Sequence, residues 1–258
     1  MNRVAAIAAN TFREAVRDRV LYNLIVFALL LMATAILFGQ ISIGIETVVL
    51  VNLGLTAMTF FGLAIAIFIG IGLVSKEIDK RTLYALFAHP VRRAEFIAGK
   101  FLGLALTLFV NLALMTLGFL ATYFYVQWTW DWASVPPLLI AIYFIFLQLV
   151  LATALALLFS CFSSPLLSAV FTLGLFIVGS FAADMRQLGE AMKVPWLETV
   201  TTVVYYLVPH FDNFNVISQA AYGQSVPAYL VTYNTAYAAV YTLLVVSAGG
   251  LIFHNRDL

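Results

Sequence analysis

Cysteine is almost missing from this sequence: Cys161 stands alone in 258 residues. One thiol excludes an intrachain disulfide and offers no cysteine-based metal cluster. Charge is the second scarcity. Asp, Glu, Lys and Arg make up 10% of the chain against 64% hydrophobic residues, with a mean hydropathy of +1.03, well outside the range of soluble domains. The shortage is concentrated. No charged residue of these four types occurs in the stretches 21–39, 47–74, 101–126, 138–162, 166–183 and 235–253. A bilayer core takes about 20 consecutive apolar residues per helical span, so six transmembrane helices are expected. Runs of this length satisfy their backbone groups without water only as helices, and the alternating ten-residue segments of a membrane barrel are absent. The second run has 28 residues, about 42 Å as a helix, which exceeds a hydrocarbon core of about 30 Å. It must tilt or continue into the cytoplasm.

Catalytic patterns are lacking too. No run offers a His-Glu-x-x-His pair, a Ser-Lys dyad or two aspartates at one depth, which argues against an intramembrane enzyme. Carboxylates are absent from all six runs, which disfavours an ion-coupled secondary transporter, the alternative reading of so apolar a chain. The formal charge of +1 gives no reason to expect a nucleic-acid partner, because the basic residues are explained by topology. No linker or low-complexity segment divides the chain, so residues 1–258 are read as one transmembrane domain.

What charge there is marks orientation. Arg3, Arg13, Arg17 and Arg19 precede the first run, Lys76, Lys80, Arg81, Arg92, Arg93 and Lys100 lie between the second and third, and Arg256 follows the sixth. Only Arg186 and Lys193 of the 13 basic residues lie elsewhere. Positive residues stay inside, so both termini and the loop 75–100 are expected in the cytoplasm, in agreement with an even number of spans. The segment 1–20 has no short apolar core followed by a small-residue cleavage site, unlike a signal peptide. Val4, Ile7, Ala8, Phe12, Ala15 and Val16 gather on one helical side, which predicts an interfacial amphipathic helix leading into the first span.

The densest charge is in KEIDKRTLYALFAHPVRRAEF, residues 76–96. Leu83, Leu86 and Phe87 share a helical side. Pro90 disfavours helical geometry at His89 and suits a first turn, so a helix, a break and a second helix are expected, with Val91, Arg92, Arg93 and Glu95 at the tip. Extended to Lys100, the pattern KEIDKRTLYALFAHPVRRAEFIAGK resembles the cytoplasmic loop of type-2 ABC transporter permeases. NTFREAVRDRVLY at residues 10–22 resembles the entry helix of one subgroup, and IFHNRDL at 252–258 resembles the ending of its last span. The resemblance covers essentially the whole chain.

It implies a permease subunit in the cytoplasmic (inner) membrane of a prokaryote, working with two cytoplasmic ABC ATPase subunits and a second permease, identical or paralogous. In the family the loop between spans two and three couples to the ATPase. Here that role would fall on Glu77, Arg81, Thr82, His89, Pro90, Arg92, Arg93 and Glu95, with Glu14 and Arg17 as further candidates. The sequence has no G-x-x-x-x-G-K-[ST], so it holds no ATP by that motif, and ATP and Mg belong to the partner. No cofactor or metal is expected in this chain.

The outward segment 184–234 contains an apolar stretch, 196–208, too short to span and read as re-entrant or interfacial. Pro209, His210 and Asp212 break it. Two candidate ligands fall short of a metal site, and a turn with an Asx-type hydrogen bond is the simpler reading. The family has short helices in this region that dip back and cap the pathway. Tyr123, Tyr125, Trp128, Trp130 and Trp132 form an expected aromatic belt at the outer interface. Asn52, Asn111 and Gln148 lie inside runs, where polar groups face another helix or a cavity. They are the candidate pathway-lining residues, with interhelical hydrogen bonding as the default. Gly62, Gly70, Gly72, Gly174 and Gly179 would permit close helix approach. The uncharged runs favour an amphipathic, lipid-like or peptide substrate over a small ion.

Overall fold

The structure is a computed structural model and describes residues 3–18, 22, 25–26, 28–30, 33–34, 44–79, 93–127, 132–192 and 194–254. Among them there is no strand, and the order of elements is α1 (Arg3–Val16), α2 (Glu46–Asp79), α3 (Arg93–Gln127), a short 3-10 turn (Trp132–Ser134), α4 (Val135–Ser160), α5 (Pro165–Ser180), α6 (Ala182–Met192), α7 (Pro195–Leu207), a second 3-10 turn (Asp212–Phe214), α8 (Ile217–Ala221) and α9 (Ala228–His254). Proline opens several of them. Pro136 and Pro137 lie in the first turn of α4, and Pro165 and Pro195 begin α5 and α7, positions where a missing N–H leaves no helical carbonyl without its donor.

Among the described residues four helices are long and apolar enough to cross a membrane, with membrane-length portions Glu46–Gly72, Glu95–Gln127, Val135–Ser160 and Ala228–Ile252. These contain the second, third, fourth and sixth predicted runs almost entirely. The first, 21–39, falls largely outside the described residues. The fifth departs from expectation. It was read as one span through 183, but α5 stops at Ser180 and the chain bends by 55° into α6. The cause is tertiary. Phe211 donates its backbone N–H to the Gly179 carbonyl at 3.1 Å, so a carbonyl near the end of α5 is satisfied from 32 residues downstream. Counted as one bent span, α5 and α6 bring the number to five.

The helices also outrun their apolar cores. α2 remains helical to Asp79, past Lys76 and Glu77, and α3 is already helical at Arg93. The predicted cytoplasmic loop 75–100 is therefore helical at both ends, and only 80–92 lies outside the described residues.

α2 and α4 form the centre. Leu55, Met58 and Ile65 of the first and Phe144, Leu151, Ala152 and Ala154 of the second are essentially inaccessible. Close approach is made possible by Gly62, where a methyl group would collide with Leu149, and by Gly70, where it would lie 3.2 Å from the Ala156 Cβ. Gly72 and Gly174, expected to serve likewise, have nothing within 4 Å of that position. α1 lies along the start of α3 through a pair of glycines. Gly99 and Gly103, four residues apart, let Ile7, Ala8 and Thr11 rest on the α3 backbone, the small-x-x-x-small geometry of closely packed helices. Thr11 and Ala15 are the buried residues of α1, whereas Phe12 and Val16 are half-buried.

The aromatic belt needs a correction. Tyr123 is core: it is buried, packs on Phe119 with ring centroids 6.3 Å apart, and accepts a hydrogen bond from Gln127 Nε2 at 3.0 Å. Tyr125 and Trp132 are exposed, the latter against Phe124. Trp128 and Trp130 lie outside the described residues.

Candidate functional site

Two regions are built for work, one at each end of the helices. The first is the charged end of α2 and α3. Glu77 belongs to the α2 backbone, Arg93 and Glu95 open α3, and Arg81, Thr82, His89, Pro90 and Arg92 lie outside the described residues. Behind them sits Lys100, 1% exposed, on the stretch of α3 that also buries Phe96, Ile97 and Leu104. Its Nζ lies 4.0 Å from Glu14 Oε2 and 5.7 Å from the centre of the Phe96 ring. Glu14, read from the sequence as a candidate partner contact, is thus placed to tie α1 to α3.

A buried ammonium that loses its carboxylate is costly, but Glu14 is 44% exposed and solvent reduces the value of the pair. Glu14→Gln is therefore expected to weaken the docking of α1 by about 1 kcal/mol, seen as faster amide exchange over residues 3–16. In a Lys100→Met background the same change should have no effect, since the apolar stem remains without its charge.

The second region is a cavity of about 400 Å³ bounded by α2, α4, α5 and the 209–217 turn, within the size range of small-molecule sites, about 300–1,000 Å³. The turn builds its outer wall because its aromatic residues anchor it. Phe211 packs on Phe176 with ring centres 4.8 Å apart and planes tilted by 43°, and Phe214 meets Phe144 edge-on at 6.4 Å, both phenylalanines of the turn being fully buried. Polar contacts hold the rest. Asn234 Nδ2 donates to the Asn213 carbonyl at 2.7 Å, and the His210 backbone N–H donates to the Tyr237 hydroxyl at 3.0 Å. An Asx-type bond exists, but from Asn215, whose Oδ1 accepts from the Ile217 N–H at 3.4 Å, and not from Asp212 as the sequence suggested.

Asp212 instead lines the cavity, and its buried Oδ1 has no hydrogen-bond partner. Burial pushes its carboxyl above the ordinary range. The nearby His210 and the backbone N–H groups of Asn213 and of Asp212 itself pull the other way, and Asp184 adds slightly to the rise. Among the described residues no group of three or more His, Cys, Asp or Glu comes together, so His210 and Asp212 gain no third ligand.

The three candidate pathway residues separate. Gln148, from α4, lines the cavity and is 7% exposed. Asn52 donates to the Val48 carbonyl of its own helix at 2.9 Å. Asn111 is buried on α3, its Nδ2 without a hydrogen-bond partner. Among the described residues none of the three makes the expected interhelical bond: the Asn52 amide turns back to its own helix, the Asn111 Nδ2 has no partner, and Gln148 faces the cavity. Gly179 was expected to serve helix approach, but it makes room for the turn: the Pro209 carbonyl and Phe211 ring fill the space a side chain would need. The sequence signals for the cavity were the glycine, the PHFDNF run and Gln148, but nothing in their spacing joins them.

Comparison with curated proteins returned no match. The family model described as ABC-2 family transporter protein does match, over residues 5–258, and with that span covering nearly the whole of this multi-helical, apolar chain, the protein belongs to the ABC-2 transporter family.

Proposed function

We propose that the chain is one of two permease subunits of an exporter in the cytoplasmic membrane of a prokaryote, driven by ATP that two separate ATPase chains bind with Mg and hydrolyse. In this reading residues 21–39 supply the remaining span, making six, and both termini are cytoplasmic. The observation that carries the coupling mechanism is the continuity of α2 to Asp79 and of α3 from Arg93. Residues 80–92 join two helices that are themselves spans, and hydrogen-bonded helices pass on a displacement with little bending. Closure of the ATPases would push on Arg81, Thr82, His89, Pro90 and Arg92, with Glu77, Arg93 and Glu95 at the helix ends. The motion would pass along α2 to α4 at the Gly62 and Gly70 contacts and change access to the cavity that Gln148 lines. An apolar cavity beside the outward turn supports an amphipathic cargo moved outward.

The test is gentle purification of the chain from its own membranes, with mass spectrometry of what accompanies it. A soluble chain bearing G-x-x-x-x-G-K-[ST] in near-equal amount is expected. Its absence under several mild detergents would overturn the reading in favour of an ion-coupled secondary transporter.

A further inference from the structure

The cavity walls combine aromatic and aliphatic side chains with a few polar ones, and one polar atom among them, on Asp212, is buried and unsatisfied. Phe60 of α2, Phe176 of α5, Phe181 at the bend and Phe211 and Phe214 of the turn supply rings. Asp212 supplies the carboxylate whose buried Oδ1 has no hydrogen-bond partner. Gln148, 7% exposed, brings a side-chain amide to the same lining. Three other polar linings are engaged elsewhere: Thr59 donates to the Leu55 carbonyl at 3.0 Å, Ser180 to the Phe176 carbonyl at 2.8 Å, and Asn215 Oδ1 accepts from the Ile217 N–H. His210 does not neutralise Asp212 by a hydrogen bond. Its ring lies edge-on to Tyr205 at 4.2 Å and its Nδ1 is 3.4 Å from the Tyr237 hydroxyl.

A buried carboxylate oxygen without a donor is stabilised by a guest that brings one, and most strongly by a charged donor. We propose that this cavity binds an amphiphile with a protonated amine or guanidinium head, the cation donating to Asp212 and Gln148 while an aryl or alkyl body packs on the phenylalanine rings. An acid of the same shape would meet the Asp212 charge, and a neutral alcohol would forgo the charge-assisted bond. The rings add cation–π attraction for the head group. The inference deepens the export reading by naming a cargo class, and rests on that reading for the role of the site, though not for the binding itself.

The test uses the full chain in lipid nanodiscs, without ATP or any ATPase, and two photoreactive aryl diazirines of one skeleton, ending in a primary amine or in an alcohol. Labelled peptides are identified by mass spectrometry. Each probe is normalised to its labelling of the uncharged groove between Phe109 and Phe146. The amine is expected to label peptides carrying Phe60, Phe176, Phe181 and Phe211 with a preference over the alcohol on the order of ten-fold, as a hydrogen bond to a charged group warrants. Asp212→Asn should abolish that preference with an unfolding temperature close to the parent's, because it keeps the shape of a half-buried side chain and removes only its charge. Gln148→Leu should reduce it about three-fold. Equal labelling by amine and alcohol in the unaltered chain would overturn the proposal without any variant, and so would a preference that survives Asp212→Asn. Neither result touches the export reading, which stands or falls on the ATPase partner.

Discussion

A chain carrying Arg81→Glu and Arg92→Glu together is expected to insert normally and to lose its hold on the ATPase partner by about 100-fold. Insertion follows the distribution of positive residues, and the arginines before residue 20, with Lys76, Lys80, Arg93 and Lys100, stay where they are. In the coupling proposed above, docking would depend on charge complementarity. Juxtaposing like charges costs several kcal/mol, and two reversals on one short segment correspond to about two decades in affinity at 1.4 kcal/mol each. The check is a pair of measurements on one preparation: the amount of variant reaching the membrane, and ATP turnover of the partner in reconstituted vesicles. Turnover at the parent's rate would contradict the assignment of residues 80–92 to coupling. Headgroup anchoring, the simpler role for two arginines at a membrane surface, predicts that unchanged rate.

The second large effect should come from a methyl-sized question asked twice in one helix. At Gly179 a Cβ would press on the Pro209 carbonyl, with the Phe211 ring carbon at 2.8 Å and a Val208 methyl at 3.2 Å. Backbone cannot yield as a flexible side chain does, and the Phe211 N–H bond to the Gly179 carbonyl would be strained with it. Gly179→Val is expected to cost about 3 kcal/mol from overpacking and the weakened bond. It should also displace Phe211 and Asp212 and so disturb the cavity. At Gly174, five residues earlier, a Cβ has nothing within 4 Å, and Gly174→Val should change the stability of the isolated chain by less than about 0.5 kcal/mol. Thermal unfolding of both variants in nanodiscs decides the matter. Equal losses would mean that valine is poorly tolerated in α5 for reasons unconnected with the turn.

The contrast between those two glycines shows what could be read in advance. Long uncharged runs declared themselves because an apolar stretch in lipid has one way to satisfy its backbone, so the second, third, fourth and sixth runs correspond to helices. Their ends were less legible. Helix geometry does not stop where charge begins, and neither Lys76 to Asp79 nor Arg93 to Lys100 contains a proline to interrupt it. The break at Phe181 was hidden because its cause, the turn at 209–211, is remote in sequence. Tyr123 looked like a belt residue from its neighbours Tyr125 and Trp128, yet its hydroxyl finds Gln127 one turn on and the ring goes inward. The Gly99 and Gly103 pair carried a readable spacing but lay in a stretch whose charge drew attention first. Asp212 could be recognised as a turn residue, but its exposure to a cavity built from α2, α4 and α5 depends on folding alone.

The lone cysteine has a practical consequence. Cys161 is fully buried and its Sγ donates to the Leu157 carbonyl at 3.2 Å, and a thiol reacts only as an accessible thiolate. The native protein is thus its own unreactive background for site-directed labelling. A cysteine introduced at Trp132 or Tyr229, both well exposed, or at Arg13 on the free side of α1, would be the one sulfur a membrane-impermeant maleimide could modify. Applied to sealed vesicles of either orientation, that single reaction reports which side of the bilayer each end of the bundle occupies.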